Sequence, residues 1–378
     1  MSEAVQPPNI KYTGALLDYS GYGSAAREFV RALYEAEVNI ITQRLTHVED
    51  TTNFGTSGDI VEKLQGNDID YKIKILHITA DLYLKHLEQY KYHIGHLFWE
   101  TDKLHPLWVW SANRLDEIWT GSEWNKEVFQ KSGVKIPIYV FPQPVETNPP
   151  EVKPFILPNH KGLLFYSIFQ WIERKNPKAL LESYWREFEG HDDVSLLLKT
   201  YHLNFTPADK ALIYKDIAHW KEQLKLKAYP RVYIYDGLLE ESDMWRLHAT
   251  GEVFVSAHRG EGFGRPQAEA MAMAHPVIST DLGGIHTFIA SDKYALPVKY
   301  TMTPVFNMNE MAFYSDDMNW AEVDIDDLRS KLGWVYNNRD KAKETGRNGQ
   351  ELAKKLFSYH AVGTALRRRL EDIEKTIA

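Results

Sequence analysis

The chain has 378 residues, 44% of them hydrophobic and 13% aromatic, enough apolar mass for two domain-sized cores and too much for a disordered chain. Cysteine is absent, which excludes disulfides, cysteine-zinc sites and thiolate catalysis, and the formal net charge of -8 offers no general attraction to nucleic acid or anionic lipid. The start, MSEAVQPPNIKYTG, lacks a basic-then-apolar leader and no apolar run reaches membrane-spanning length, so the expectation is a soluble cytoplasmic protein with no membrane span.

Taken in chain order, short runs rich in β-branched and aromatic residues predict strands at GALLDY (14–19), IKILHIT (73–79), HIGHLFW (93–99), EIWTGS (117–122) and IPIYVFP (136–142). The first is followed by SAAREFVRALYEAE, whose Ala26, Phe29, Val30 and Leu33 share one helical face. Pro142, Pro144, Pro149, Pro150, Pro154 and Pro158 then crowd one segment too proline-dense for a helix or a central strand, which places an interdomain linker there. Beyond it come GLLFYSIF (162–169), VSLLLKTY (194–201), RVYIYDG (231–237), EVFVSAH (252–258) and HPVIST (275–280), again separated by helical stretches. Strand and helix in alternation predict an α/β fold of parallel sheets covered on both faces, one Rossmann-like unit on each side of the linker. The end of the chain reads as a charged helix with Val362, Ala365, Leu366 and Leu370 as a narrow apolar stripe and Arg367, Arg368 and Arg369 on a solvated face.

The most informative stretch is HRGEGFGRPQAEAMAMAHP, residues 258–276. A strand runs into a glycine-rich loop and then a helix with Pro266 in its first turn, ending at His275 before Pro276. The amides around Phe263, Gly264 and Arg265 fall at the positive end of a helix dipole, which makes a seat for phosphate. Glu261 precedes that helix and Glu269 lies about one turn inside it, so the two carboxylates flank the seat. Carboxylates accept hydrogen bonds from hydroxyls, and a diphosphate with a hydroxylated sugar at each end satisfies both. A plainer reading has Glu269 complementing the dipole and Glu261 as a surface loop residue. Arg174 and Lys175 follow another strand at the same carboxyl edge and can neutralise a diphosphate, which shifts the balance toward the first reading, although an isolated Arg-Lys pair alone fits a solvated surface.

These residues resemble the retaining glycosyltransferases of the GT-B fold, glycosyltransferase family 4. The match lies in two glutamates with seven residues between them, Glu261 and Glu269, followed by a small-residue helix, a Pro-Val-Ile strand and a Gly-Gly turn; it extends to ERKNPKALLESY, to LFWETDKLHPLWVW and to DIDDLRSKLGWVYNN. The resemblance implies two Rossmann-like domains facing across a cleft, an amino-terminal acceptor-side domain (1–145), a carboxy-terminal nucleotide-sugar domain (146–357) and a last helix (358–378) crossing back to the first. It implies Glu261 on the donor-sugar hydroxyls, Glu269 on the ribose, the backbone of Phe263, Gly264 and Arg265 on sugar and phosphates, and Lys175, with Arg174, on the diphosphate. Gly21 and Gly23, in a loop before a helix opening near Ser24, would let the backbone approach the donor. His96, Glu100 and Thr101 are the acceptor-side candidates, although His96, like His93, also fits a packed core histidine.

The chain departs from the family at two places. Phe169 and Gln170 stand where a Gly-Arg pair is common, so either Arg174 supplies that charge or the phosphate site is weaker than usual. Arg265 replaces an apolar residue, adding a guanidinium near the phosphates or a grip for an acidic group. His93 and His96, on opposite faces of a strand, make no metal pair, and Asp68–Asp70 and Asp324–Asp326 read as a loop and a helix cap. The expected enzyme is a retaining, metal-independent glycosyltransferase without cofactor, using a UDP- or GDP-sugar and an acceptor that is a sugar, a lipid-linked sugar, a protein or a small molecule. Modified nucleic acid is possible as acceptor but not favoured by the charge. The alternatives are another GT-B enzyme, an epimerase or phosphorylase, and a non-catalytic nucleotide-sugar binding module.

Overall fold

The computed structural model describes residues 7–45, 54–308 and 311–377. In chain order these form β1 (Asn9–Gly14), α1 (Gly21–Glu35), β2 (Asn39–Arg44), α2 (Gly55–Gln65), β3 (Ile73–His77), β4 (Tyr92–His96), α3 (Pro106–Ala112), β5 (Glu117–Thr120), α4 (Glu123–Ser132) and β6 (Ile138–Val140). After a proline-rich stretch without regular structure come β7 (Leu163–Gln170), α5 (Pro177–Glu187), β8 (Val194–Tyr201), α6 (Pro207–Leu224), β9 (Arg231–Tyr235), α7 (Glu241–Thr250), β10 (Val253–Ser256), α8 (Arg265–Ala272) and β11 (Val277–Thr280). The chain ends with α9 (His286–Ile289), β12 (Leu296–Val298), β13 (Tyr300–Pro304), β14 (Asn319–Val323), α10 (Ile325–Asn337), α11 (Arg339–Phe357) and α12 (Tyr359–Ile377).

Two compact units result. The first contains Met1–Trp99, Lys103–Glu146 and Lys355–Ala378, the second Glu100–Asp102 and Thr147–Lys354. Each is built on a six-stranded parallel sheet, ordered β2-β1-β3-β4-β5-β6 in the first and β12-β11-β10-β7-β8-β9 in the second. Every residue of β3 and of β5 is buried, the signature of strands covered on both faces. The second unit also holds an antiparallel pair, β13 with β14.

Several elements differ from the sequence reading. The first strand is NIKYTG rather than GALLDY; Leu16 and Leu17 are buried from the turn that follows it, which is why the run looked strand-like. The edge strand β2 was not anticipated, since NIITQR has only a half-buried, mixed pattern. Helix α1 starts at Gly21, capped by the Ser20 hydroxyl accepting from the Gly23 amide, so Gly21 and Gly23 lie in its first turn and not in a loop. Gly23 is required there: a Cβ would sit 2.4 Å from the Asp18 carbonyl oxygen.

The last helix also differs in its buried face. Val362, Gly363, Leu366, Leu370 and Ile373 are buried, whereas Ala365 is exposed. Gly363 makes the approach possible, because a Cβ would lie 2.2 Å from the Ala32 carbonyl of α1. The basic triplet is not a solvated face: Arg369 ion-pairs with the fully buried Glu117, and Arg367 donates to the Ala36 carbonyl at 2.9 Å and to Glu371, leaving Arg368 exposed.

Candidate functional site in the second unit

The carboxyl ends of β7 and β10, adjacent in the sheet, launch the two loops singled out in the sequence. After β7 the chain turns through Glu173–Lys175 to Asn176, whose left-handed backbone (φ 52°) and side chain, accepting from the Ala179 amide, start α5 with Pro177 in its first turn. After β10 the loop reaches Gly264, also left-handed (φ 96°), which starts α8 with Pro266 in its first turn. No side chain caps α8, so its amino-terminal end offers backbone donors in a positive field.

The loops are tied to each other. The Arg259 amide donates to the Arg174 carbonyl at 2.7 Å, and Arg174 Nη1 donates to the Gly260 carbonyl at 2.9 Å. Lys175 Nζ pairs directly with Glu261 Oε2. Arg259 closes the assembly: its guanidinium donates to the Glu173 carbonyl, to Glu173 Oε1 at 2.9 Å, and to Glu322 of β14 at 2.7 Å and 3.3 Å. On the other side the Gly284 amide donates to the Glu261 carbonyl at 2.8 Å, and His258 bridges Ser256 and the Leu282 carbonyl, each at 3.0 Å.

Electrostatics follow from this packing. Burial alone would raise the Glu261 carboxyl, but Lys175, Arg174 and His258 outweigh it and hold it at about 2. Burial pushes Lys175 below the ordinary lysine range even with Glu261 beside it, and drives His258 down to about 4, leaving that ring neutral. Glu269 is likewise held at about 2 against burial, by Arg265 and His248. The loop therefore presents two ionised carboxylates, acceptors only, on either side of donor amides.

The structure brings together Lys175, Arg174, Glu261, Phe263, Gly264, Arg265 and Glu269. Arg174 is turned onto Gly260 and toward Glu100, 3.6 Å away, which also accepts from Tyr314 at 3.1 Å. Glu100 and the buried Thr101 thus cluster with the second unit. Arg265 Nε donates to Glu269 Oε1 at 2.7 Å, so the acid it grips is its own helix neighbour. Phe263 is buried against Phe288. In the first unit Gly21 is exposed and Gly23 buried. His96 is fully buried between Phe29, His77 and Phe98, far below the ordinary histidine range because of burial and His77, so it is a core residue. Asp324 accepts from the Asp326 and Asp327 amides as the cap of α10, and Asp68 to Asp70 form a loop before β3. Among the described residues no group of three or more His, Asp or Glu side chains is disposed to hold a metal ion, and no helix is long and apolar enough to cross a membrane.

Residues 163–304, which include both loops, match the family model of glycosyl transferases group 1. That segment of the chain carries a glycosyl transferases group 1 domain. No curated protein matches the chain by sequence. Among solved structures the chain is similar to sucrose-phosphate synthase from Thermosynechococcus elongatus, 14% identical over 98% of this chain and 100% of that one with a TM-score of 0.69. It is also similar to a glycosyltransferase from Rickettsia africae, 15% identical over 98% and 99% with a TM-score of 0.67, and to HepE of Anabaena in complex with UDP-glucose, 12% identical over 96% and 99% with a TM-score of 0.66. At these identities the likeness concerns the fold, the two parallel-sheet units of the GT-B class.

Sequence reasoning missed Arg259, Glu322, His258 and His248. Arg259 and His258 sit inside the quoted motif, but Glu322 and His248 lie on distant elements and nothing local marks them.

Proposed function

We propose that this glycosyltransferase moves a sugar, with retention of anomeric configuration and without a metal ion, from a nucleotide-diphosphate sugar, UDP- or GDP-linked, to an acceptor hydroxyl. The observation that carries the reading is the Lys175–Glu261 pair beside the uncapped start of α8. A diphosphate on those amides meets fixed positive charge from Lys175 and Arg174, which does the work a divalent cation would otherwise do. Glu261 at one end and Glu269 at the other accept the hydroxyls of sugar and ribose. The HepE complex with UDP-glucose supports a nucleotide-sugar donor.

In the transfer the bond from the sugar C1 to the phosphate oxygen breaks and the bond from C1 to the acceptor oxygen forms on the same face. The acceptor proton passes to the departing phosphate oxygen, so the products are the glycoside and the nucleoside diphosphate. The protein's share is to stabilise charge growing on the diphosphate. A cytoplasmic location fits a chain without cysteine.

The test is turnover of UDP-glucose and GDP-mannose against a panel of sugar, lipid-linked and small-molecule acceptors, with and without EDTA, and with the product anomer read by NMR. Glu261→Ala, Glu269→Ala and Lys175→Ala are each expected to lower kcat/KM by about 100-fold or more. Unchanged kinetics in all three, loss of activity in EDTA, or an inverted product would each overturn the corresponding part.

A further inference from the structure

Glu269 stands at the end of a buried chain of polar groups that the transfer reaction does not explain. Its Oε2 lies 3.3 Å from His248 Nε2; His248 Nδ1 is 2.9 Å from the Tyr166 hydroxyl; and that hydroxyl is 2.9 Å from His275 Nδ1. The members come from α7, α8, β7 and the segment after α8, and each hydrogen-bonded pair joins residues at least 21 apart in sequence. Tyr166 is fully buried, and its ring meets His248, His275 and Phe254 edge-on at centroid distances of 5.6, 5.6 and 5.2 Å. Gly251 leaves it no freedom, since a Cβ there would be 2.1 Å from the ring.

Hydrogen counting gives the chain a direction. An ionised Glu269 accepts only, so His248 carries a proton on Nε2, and in the neutral tautomer its Nδ1 presents a lone pair. That lone pair takes the Tyr166 hydroxyl proton, and the Tyr166 oxygen then accepts from His275 Nδ1–H. In this arrangement each hydrogen has one acceptor. The other carboxylate oxygen is held by Arg265 at 2.7 Å. Glu269 is thereby fixed in rotation, with one acceptor direction on each oxygen left for a ligand hydroxyl.

We infer that His248 is a positioning residue, set in its tautomer by Tyr166 and His275, which makes Glu269 a reader of the ribose hydroxyls and so determines selectivity for ribonucleotide over 2′,3′-dideoxynucleotide donors. The inference rests on the donor reading of Glu269 given above.

The test measures binding of a nucleoside diphosphate and of its 2′,3′-dideoxy form by calorimetry, using whichever of UDP, GDP and ADP raises Tm most. Wild type should prefer the ribose form by about tenfold or more, the worth of charge-assisted hydrogen bonds. Glu269→Ala should abolish that preference. His248→Leu, which keeps the volume without the donor, should reduce it at least fivefold, while His248→Gln, whose amide can both donate to Glu269 and accept from Tyr166, should preserve it. Tyr166→Phe, which frees the His248 tautomer, should fall between. A mere structural role would lower Tm in His248→Leu and leave the ratio of the two affinities intact; that result overturns the inference while leaving Glu269 as the ribose contact. If His248→Leu does not fold, an unaltered ratio in Tyr166→Phe overturns it instead. A full preference in Glu269→Ala, or no binding of any nucleotide, overturns the donor reading and the inference with it.

Discussion

Lys175 and Glu261 meet in a direct ion pair between the loop after β7 and the loop after β10, each supplying the charge that lets the other stay largely withdrawn from water. Removing Lys175 takes away the largest compensating charge on Glu261 and leaves Arg174 acting on it. Lys175→Met is therefore expected to lower stability by about 3–5 kcal/mol, where an exposed pair would cost under 1. Urea unfolding checks this, and a change below about 1 kcal/mol would show that solvent already screens the pair.

The acid response follows from burial. Burial holds His77 at about 3 and His258 at about 4, both below the value of an unfolded histidine. As pH falls from about 6.5 the unfolded chain takes up these protons and the folded one does not, so each ring removes about 1.4 kcal/mol of stability per pH unit until its own value is reached. Glu261 and Glu269, held at about 2, act in the next window: their stabilisation is complete above about 4.5 and is lost as pH falls toward 2. Tm should thus begin to drop below pH 6.5 and steepen below 4.5, and His258→Gln should flatten the first phase. A flat Tm between pH 6.5 and 4.5 would contradict neutral buried rings.

The alternation of strands and helices was legible because parallel strands buried on both faces are nearly continuous apolar runs; VSLLLKTY is β8 to the residue. Elements at edges were not: β2 and the β13–β14 pair carry polar and exposed residues with no clean period. In the site, the features set by local geometry, such as the Gly264 turn and the Asn176 cap, could be read from spacing. The partners that fix their charge could not. Glu322 reaches Arg259 from β14, and His248 reaches Glu269 from α7, and those meetings are made by sheet topology rather than by sequence neighbours.

The turn at Gly283 and Gly284 is the support on which the Glu261 loop rests. Gly283 has φ +91° and a Cβ there would be 2.3 Å from the Glu261 carbonyl oxygen; at Gly284 one would be 2.1 Å from the Gly262 carbonyl oxygen. Gly283→Ala carries left-handed strain of about 1–2 kcal/mol in addition to the clash, and Gly284→Ala the clash alone. Both should displace Glu261 and lower kcat/KM by about tenfold or more through misplacement. Gly190→Ala, left-handed too (φ +79°) but in open space, isolates the strain: it should cost stability and leave kcat/KM unchanged.

Arg369 on α12 offers the sharpest test of a buried charge outside the site. Glu117 on β5 is fully buried and accepts from Trp119 Nε1 at 2.7 Å, from the Tyr92 hydroxyl at 3.0 Å and from Arg369, whose guanidinium also lies 4.0 Å from the Tyr139 ring centre. Arg369→Ala leaves a buried carboxylate with two neutral donors and should cost about 3–5 kcal/mol. Its neighbour Arg368, exposed on the same helix, should cost no more than about 0.5 kcal/mol when changed to alanine. Glu117→Gln in the Arg369→Ala background removes the stranded charge; its amide oxygen still accepts from Trp119 Nε1 and its Nε2 donates to the Tyr92 hydroxyl oxygen, so it should recover part of the loss. The double-mutant cycle, read by chemical denaturation, isolates the coupling. Equal effects of Arg368→Ala and Arg369→Ala would mean that helix α12 is held by its apolar stripe alone, through Val362, Leu366, Leu370 and Ile373.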